Sequence, residues 1–429
     1  MTITFIGHGY VGLVTATVFA DLGNKVWVVG HTAKKIEDLK KGITPFYEPG
    51  LTELVKKNID AKRLLFTLDY DKSISESEIV FIAVGTPPYK TGDAQLSTVF
   101  DVSENIAKYL NGYTVVAVKS TVPPGTCKKV YGIIEALKKS GVEFDVASCP
   151  EFLREGTAIL DTLNPDRIVI GTESKKAEEK LIELHKAINE NFVLTNLETS
   201  ELIKYASNSF LATKISFANA IAKLSELLGA DGLRVLEGIG IDRRIGKAFL
   251  SPGPGYGGSC FPKDVKALVA IAKDYDYSFS LLESVEKVND QAKRDIVRKV
   301  RKAVGELRKK KIGVLGLSFK PDTDDMRDAP AIDIIELMKR DGALIKAYDP
   351  QAIENAKGLI KDIEFAKDLY DCAKDAEALV VVTDWNEFKD VDFKRLKSLM
   401  KNPIIIDGRN IYDPEKLRKL GFTYVGVGR

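Results

Sequence analysis

The chain has 429 residues, 45% hydrophobic and 29% charged, with 63 basic against 61 acidic side chains and a net charge of +2. That length calls for two or three domains. The balanced charge excludes the clustered basic footprint of a nucleic-acid-binding protein, and no run approaches the ~20 apolar residues that cross a bilayer. Four scattered cysteines (Cys127, Cys149, Cys260, Cys372) are no disulfide framework, so a reducing, cytoplasmic setting is expected. Together with His8, His31 and His185 they show no metal-ligand spacing.

Met1 to Ile6 is a β-branched run that passes through Gly7-His8-Gly9-Tyr10-Val11-Gly12 into an apolar helical pattern ending near Leu22. Strands follow at Lys25 to Val29, Ile79 to Val84, Thr114 to Val118 and Phe144 to Ala147, the last strand expected of this domain, with amphipathic helices between them. Strands alternating with helices imply a doubly wound parallel sheet. Leu197 to Leu228 reads as one long proline-free helix, suited to joining domains and to offering a face to a second subunit. A monomer with one long packed helix is the alternative. The strand–turn–helix grammar returns at Lys311 to Leu317, Ala343 to Tyr348, Ala378 to Thr383 and Pro403 to Ile406. The expected architecture is α/β: two Rossmann-like domains, 1–196 and 297–429, joined by a central helical domain, 197–296.

The opening glycines carry the first chemistry. Gly7 permits a tight turn, Gly9 lets a pyrophosphate approach the backbone, and Gly12 lets helix and strand pack closely. The helix that follows offers free N–H groups and a positive dipole end. Such a motif is weak alone, but here it follows a strand and opens a helix, which makes dinucleotide binding the reading. The second strand should end in an acid, about 20 residues on, to bond the ribose hydroxyls. That place is Gly30, followed by His31-Thr32-Ala33-Lys34-Lys35. Losing a carboxylate and gaining hydroxyl and ammonium donors suits a 2′-phosphate, so NADP is expected beside NAD. Lysines that merely cap a surface helix have equal claim.

Two strands run into proline-stiffened loops, Gly85-Thr86-Pro87-Pro88 and Ser120-Thr121-Val122-Pro123-Pro124. Open α/β sheets bind ligands at such carboxyl ends, which sets Thr86 and Thr121 toward a cofactor. Cys149-Pro150-Glu151-Phe152-Leu153-Arg154-Glu155 then puts two carboxylates four apart, and Glu201, Lys204 and Asn208 share one face of the long helix. Alone these are salt-bridged helix surface; beside a reactive thiol they can stabilise an oxyanion. The thiol is Cys260, in the densest glycine stretch of the chain, Gly253 to Asp264. Neighbours without Cβ atoms let a ligand approach the sulfur, and Lys263 and Asp264 can tune its charge.

In order and over essentially the whole length, these motifs, with Phe319-Lys320-Pro321-Asp322-Thr323-Asp324-Asp325-Met326-Arg327, resemble the UDP-glucose/GDP-mannose dehydrogenase family. The resemblance implies a four-electron oxidation of a nucleotide-sugar alcohol to a carboxylate with two nicotinamide cofactors, and Gly-Gly-Ser-Cys-Phe-Pro-Lys-Asp points to UDP-glucose as substrate. It implies catalytic roles for Cys260, Lys204, Asn208, Asp264, Glu151 and Thr121. Cofactor contacts are expected at Gly7, Gly9, Tyr10, Val11, Gly12, Gly30, His31, Thr32, Lys35, Thr86, Thr121 and Glu155, and the resemblance adds Lys263 and Arg327. For the UDP-sugar it implies Glu151, Phe152, Leu153, Lys204, Asn208, Phe249, Leu250, Ser251, Pro252, Gly253, Gly257, Lys320 and Arg409, with Arg244 reaching from the second subunit of a homodimer. The chain departs from the family pattern at Gly30, at Cys149 and at Ala220, the last on the dimer face. Oxidation of another nucleotide sugar (a UDP-N-acetylhexosamine or GDP-mannose), or mere sensing of dinucleotide or UDP-sugar, are the alternatives.

Overall fold

The computed structural model describes residues 1–429. They form two compact units, residues 1–207 and 208–429. The first unit holds eight strands: β1 (Thr2–Ile6), β2 (Lys25–Val29), β3 (Leu64–Thr67), β4 (Ile79–Ile82), β5 (Thr114–Val118), β6 (Phe144–Ser148), β7 (Ile168–Thr172) and β8 (Phe192–Thr195). They lie in one sheet, ordered β3-β2-β1-β4-β5-β6-β7-β8. The second unit holds six: β9 (Lys311–Leu315), β10 (Leu344–Tyr348), β11 (Glu364–Phe365), β12 (Ala378–Val381), β13 (Ile404–Asp407) and β14 (Thr423–Val425), ordered β11-β10-β9-β12-β13-β14.

Why these runs form buried parallel strands is visible in their side chains. Ile3, Phe5, Ile79, Phe81, Val115 and Ala117 enter one core cluster, while Ile6, Val80, Ile82, Val116 and Val118 enter another on the opposite face. With successive residues pointing to opposite faces, a sheet covered by helices on both sides needs apolar residues at every position. The second sheet repeats this with Ile312, Val314 and Val380 on one side and Leu315, Leu379 and Val381 on the other. In each sheet the order reverses beside its first strand, β1 next to β4 and β9 next to β12. The crevice at that reversal, outside the strands' carboxyl ends, is where such folds bind ligands.

Two expectations change. Phe144 to Ala147 is not the last strand of the first sheet, and that sheet is not wholly parallel: β7 and β8 extend it, with β7 antiparallel to β6. The sequence hides them, because β7 ends in Gly171-Thr172 and β8 is an edge strand with Val193 and Leu194 exposed. The long helix runs over Leu197–Leu228 as its pattern predicts, and the division of the chain into two units falls within it. No helix is long and apolar enough to cross a membrane.

His185 closes the first core from the helix Lys175–His185. Its Nδ1 lies 2.8 Å from the Leu181 carbonyl oxygen and its Nε2 3.9 Å from Cys149 Sγ, and its ring meets Phe19 edge-on at 5.2 Å. Burial, helped by the Lys119 ammonium, pushes its pKa down to about 3. A histidine neutral in the fold and protonated when unfolded contributes stability above its ordinary pKa of about 6.5, and loses it as pH falls toward the folded value. The melting temperature is therefore expected to drop steadily as pH is lowered from 7 to 4. In His185→Phe, which keeps the edge contact, that slope should be shallower; an unchanged slope removes His185 as its source.

Candidate active site

In the first unit the dinucleotide motif is built as a cradle. Gly7 has φ +120°, and a Cβ there would stand 2.3 Å from the Ala83 carbonyl oxygen; one on Gly12 would stand 2.1 Å from the Gly7 oxygen. Both positions are closed by the protein's own backbone. A Cβ on Gly9 meets nothing within 4 Å. This open point lies at the N-terminus of the helix Tyr10–Asp21, whose first turn carries no acidic residue and no side-chain cap. Its donors are left for an anion. Tyr10 turns its hydroxyl to the buried Glu48 carboxylate and accepts a hydrogen bond from the Gly156 amide at 2.9 Å. Thr86 donates to the Thr121 carbonyl at 2.8 Å, and Ser120 to the Val84 carbonyl at 2.7 Å, so the two proline-stiffened loops lie side by side. His31 and Lys35 are exposed, Thr32 and Val11 half-buried.

Glu151 and Lys204 form an ion pair at 2.9 Å with both side chains at least nine-tenths buried. Glu151 also accepts the Leu153 amide at 2.5 Å. Burial pushes the Glu151 carboxyl up, but the Lys204 ammonium, with the Leu153 bond, outweighs it and holds the pKa below the ordinary value. Phe152 presents its ring to the Arg167 guanidinium at 3.8 Å and to Lys204 Nζ at 5.2 Å. Glu155 is half-buried on the same loop. Glu201, Lys204 and Asn208 are not helix surface: all three are buried. Glu201 accepts the amides of Gly125 and Cys127 at 2.6 and 2.7 Å, capping the helix Thr126–Leu137.

In the second unit Cys260 is half-buried at the N-cap of the helix Phe261–Asp274, with Ser259 Oγ 3.6 Å from its sulfur. The positive end of that helix favours negative charge at its first turn. One turn on, the Asp264 carboxylate is fully buried and doubly held: Lys263 Nζ donates to it at 2.5 Å and Asn208 Nδ2 at 2.6 Å. The glycines before the thiol do not chiefly clear a path for a ligand, as the sequence suggested. A Cβ on Gly255 would stand 2.6 Å from Asn289 Oδ1, on Gly257 2.2 Å from the Asp328 oxygen, and on Gly258 2.7 Å from the Phe319 ring. They let the Cys260 loop lie against the 319–328 segment and the helix Ser280–Val304. Gly253 packs beside Arg409, whose Nε donates to the Val382 carbonyl at 2.7 Å and whose Nη2 donates to that of Phe319 at 3.2 Å. Lys320 sets its ammonium 5.7 Å from the Phe319 ring. Phe249 takes φ +64°, Leu250 and Pro252 are buried, and Ser251 is exposed. Arg244 and Arg327 are exposed, each paired with the acid two residues before it, Asp242 and Asp325. No group of three or more His, Cys, Asp and Glu side chains is placed to hold a metal ion.

Three family models match the chain: the NAD binding domain of the UDP-glucose/GDP-mannose dehydrogenase family over residues 1–189, its central domain over 198–291 and its UDP binding domain over 313–414. The chain belongs to this family. Among relatives of this dehydrogenase, the UDP-glucose 6-dehydrogenase of Rhizobium meliloti is 50% identical over the full length of both chains. The UDP-glucose 6-dehydrogenase TuaD of Bacillus subtilis is 48% identical over all of this chain and 93% of its own. In structure, the UDP-glucose dehydrogenase of Pyrobaculum islandicum superposes with TM-score 0.93 at 36% identity, over 99% of this chain and 97% of its own. The UDP-D-ManNAc dehydrogenase of Pyrococcus horikoshii superposes with TM-score 0.88 at 28% identity, over 100% and 99%. The family's NAD fits the first unit: the uncapped helix start beside the open face of Gly9 suits a pyrophosphate.

Sequence reading of this family member missed several supports. Glu48 takes the amides of Gly156 and Ala158 at 2.5 and 2.7 Å; it sits in a loop without periodicity, and nothing in the sequence marks it. Asn289 exchanges hydrogen bonds with the Tyr256 backbone, and Asn219 accepts the Gly253 amide at 2.8 Å. Asn289 did leave a signal, a polar residue on the otherwise apolar stripe Leu282, Val285, Ala292, Ile296, Val300.

Removing Lys204 leaves Glu151 buried and unpaired, which costs about 3–5 kcal/mol. Lys204→Ala should lower the unfolding midpoint accordingly, more at pH 7.5 than at pH 5, where Glu151 more readily takes up a proton. Lys204→Met with Glu151→Gln should recover most of the loss. Equal destabilisation of single and double variants by denaturant titration would show that the pair is not the cause.

Proposed function

We propose that this dehydrogenase is a UDP-glucose 6-dehydrogenase, taking UDP-glucose to UDP-glucuronate in two two-electron steps. The observation that carries the reading is Cys260 at the head of a helix whose next turn bears a buried carboxylate, Asp264, held by Asn208. The names of relatives 43–50% identical over the whole chain support the same substrate. NAD, when bound, supplies the hydride acceptor for each step.

The chain's own residues do the rest. Asp264, with Thr121 and Lys204, holds a water that takes the proton of the C6 hydroxyl. Cys260 Sγ adds to the aldehyde carbon and makes a tetrahedral thiohemiacetal, from which hydride can leave as it cannot from the aldehyde. Its oxidation leaves a thioester. Lys204 and Asn208 stabilise the oxyanions by charge and hydrogen bond, and Glu151 assists the water that cleaves the thioester. Phe152, Leu153, residues 249–253, Gly257, Lys320 and Arg409 receive the UDP-sugar, and Arg244 of a second subunit joins them. Thr86, Glu155, Lys263 and Arg327 serve the cofactor, and Gly30 admits NADP beside NAD. The three domains are 1–196, 197–296 and 297–429.

A homodimer is part of this reading. Phe210, Phe217 and Leu224 recur every seven residues on the long helix and are 66, 50 and 49% exposed. Residues seven apart share one helix face, and an exposed apolar stripe of this kind marks an interaction surface, here read as the face met by a second copy of the chain.

The deciding assay is cofactor reduction against UDP-glucose, UDP-N-acetylhexosamines and GDP-mannose, with two reduced cofactors expected per UDP-glucose. Cys260→Ser should lose acid formation while cofactor binding survives; unchanged turnover refutes the covalent route. Phe210→Glu with Phe217→Glu should give a monomer by light scattering, and an unaltered mass in solution overturns the dimer face.

A further inference from the structure

Position 30 does more than lack an acid. A Cβ built on Gly30 would stand 2.5 Å from Ile36 Cδ1 and 2.9 Å from Nδ1 of His8. A side chain at position 30 would therefore meet Ile36 first, with the imidazole of the glycine motif beside it. His8 is only 5% exposed, and its Nδ1 is buried with no hydrogen-bond partner. A buried polar nitrogen without a partner costs free energy unless a ligand satisfies it. Beside it lies the His31 ring at 5.0 Å, centroid to centroid. The charged groups that bear on His8 are His31, from the segment after β2, and Lys35, from the helix Ala33–Lys40, with no carboxylate among them. The acids of that helix, Glu37 and Asp38, are engaged by Lys40 and Lys34.

We propose that His8 stands in for the missing acid and makes the ribose end of the dinucleotide site a proton-coupled subsite for a 2′-phosphate: as the phosphate binds, the imidazole takes a proton from solvent. This rests on the dinucleotide reading above and names what that site prefers. Without a ligand, burial, then His31 and Lys35, hold the His8 pKa down to about 4, so the ring is neutral. A phosphate dianion reverses the balance: it pairs with the imidazolium and offsets the Lys35 ammonium. Binding and protonation then favour one another by linkage. A ligand without the 2′-phosphate gains nothing from the proton.

Calorimetry on the whole enzyme with 2′,5′-ADP and 5′-AMP reads this without turnover. The affinity ratio of 2′,5′-ADP to 5′-AMP should rise by up to about tenfold per pH unit as pH falls from 8 to 6.5, where the phosphate is still largely dianionic. The heat of 2′,5′-ADP binding should vary with buffer ionisation enthalpy, reporting proton uptake, and that of 5′-AMP should not. His8→Ala should flatten the ratio; His31→Gln should keep its slope. Gly30→Asp alone should be poorly tolerated, while Gly30→Asp with His8→Ala and Ile36→Ala, which clears both side chains a Cβ there would meet, should shift preference to 5′-AMP. A ratio independent of pH, or one whose slope vanishes with His31 and survives loss of His8, overturns the proposal and leaves dinucleotide binding standing. Failure of both 2′,5′-ADP and 5′-AMP to bind overturns both.

Discussion

The ion pair between Lys204 and Glu151 is the constraint on which much of the first unit turns. Both charges are buried, so neither is tolerable without the other. The pairing fixes the loop after β6 to the long helix, and through the Leu153 amide it fixes that loop's backbone too. The same helix repeats the device. One turn earlier Glu201 gathers the amides that follow β5. Polar residues at 201 and 204 thus turn this stretch of helix into a ruler for the first unit: its 1.5 Å rise per residue sets the spacing of the two loops it anchors. Stability alone is a weak reason to bury such charges, since apolar residues of the same shape serve it as well.

The Cys260 loop shows a second way of fixing a side chain. A side chain on a flexible glycine loop loses its orientation unless the chain around it is held. Here the missing side chains are replaced by other parts of the protein, with Asn289 bonding both amide and carbonyl of Tyr256 and the Gly258 amide donating to the Arg327 carbonyl at 2.8 Å. Glycine in this segment means a crowded backbone rather than a loose one.

What the sequence disclosed follows from these physics. The two sheets were legible because a strand covered on both faces is a run of consecutive apolar residues, as in Val80-Phe81-Ile82, and the helix from Leu197 because its pattern never breaks. β7 and β8 were not legible: an antiparallel neighbour and a half-exposed edge leave short, mixed runs. In the site, motif residues such as Cys260, Asp264, Glu151 and Lys204 stood out by type and spacing. Their supports did not. Glu48 and Asn219 act through backbone amides of Gly156, Ala158 and Gly253, and an amide leaves no mark in the sequence of the residue that owns it.

The two sheets also explain each other at one position. Gly30 follows β2 as Asp349 follows β10, each strand lying beside the first strand of its sheet. Asp349 is buried, and its carboxylate accepts the amides of Leu317 and Ser318 at 2.8 and 3.0 Å, in the glycine turn that follows β9. That turn has its donors satisfied from within and offers none of them to a phosphate. In the first sheet no carboxylate reaches across, and the helix after the glycines begins uncapped. The same topology is thus closed at one end of the chain by an acid and left open at the other by a glycine. A turn that keeps its own amides bonded is a structural joint; one that leaves them unspent is a binding site, and here a single side chain after the second strand separates the two.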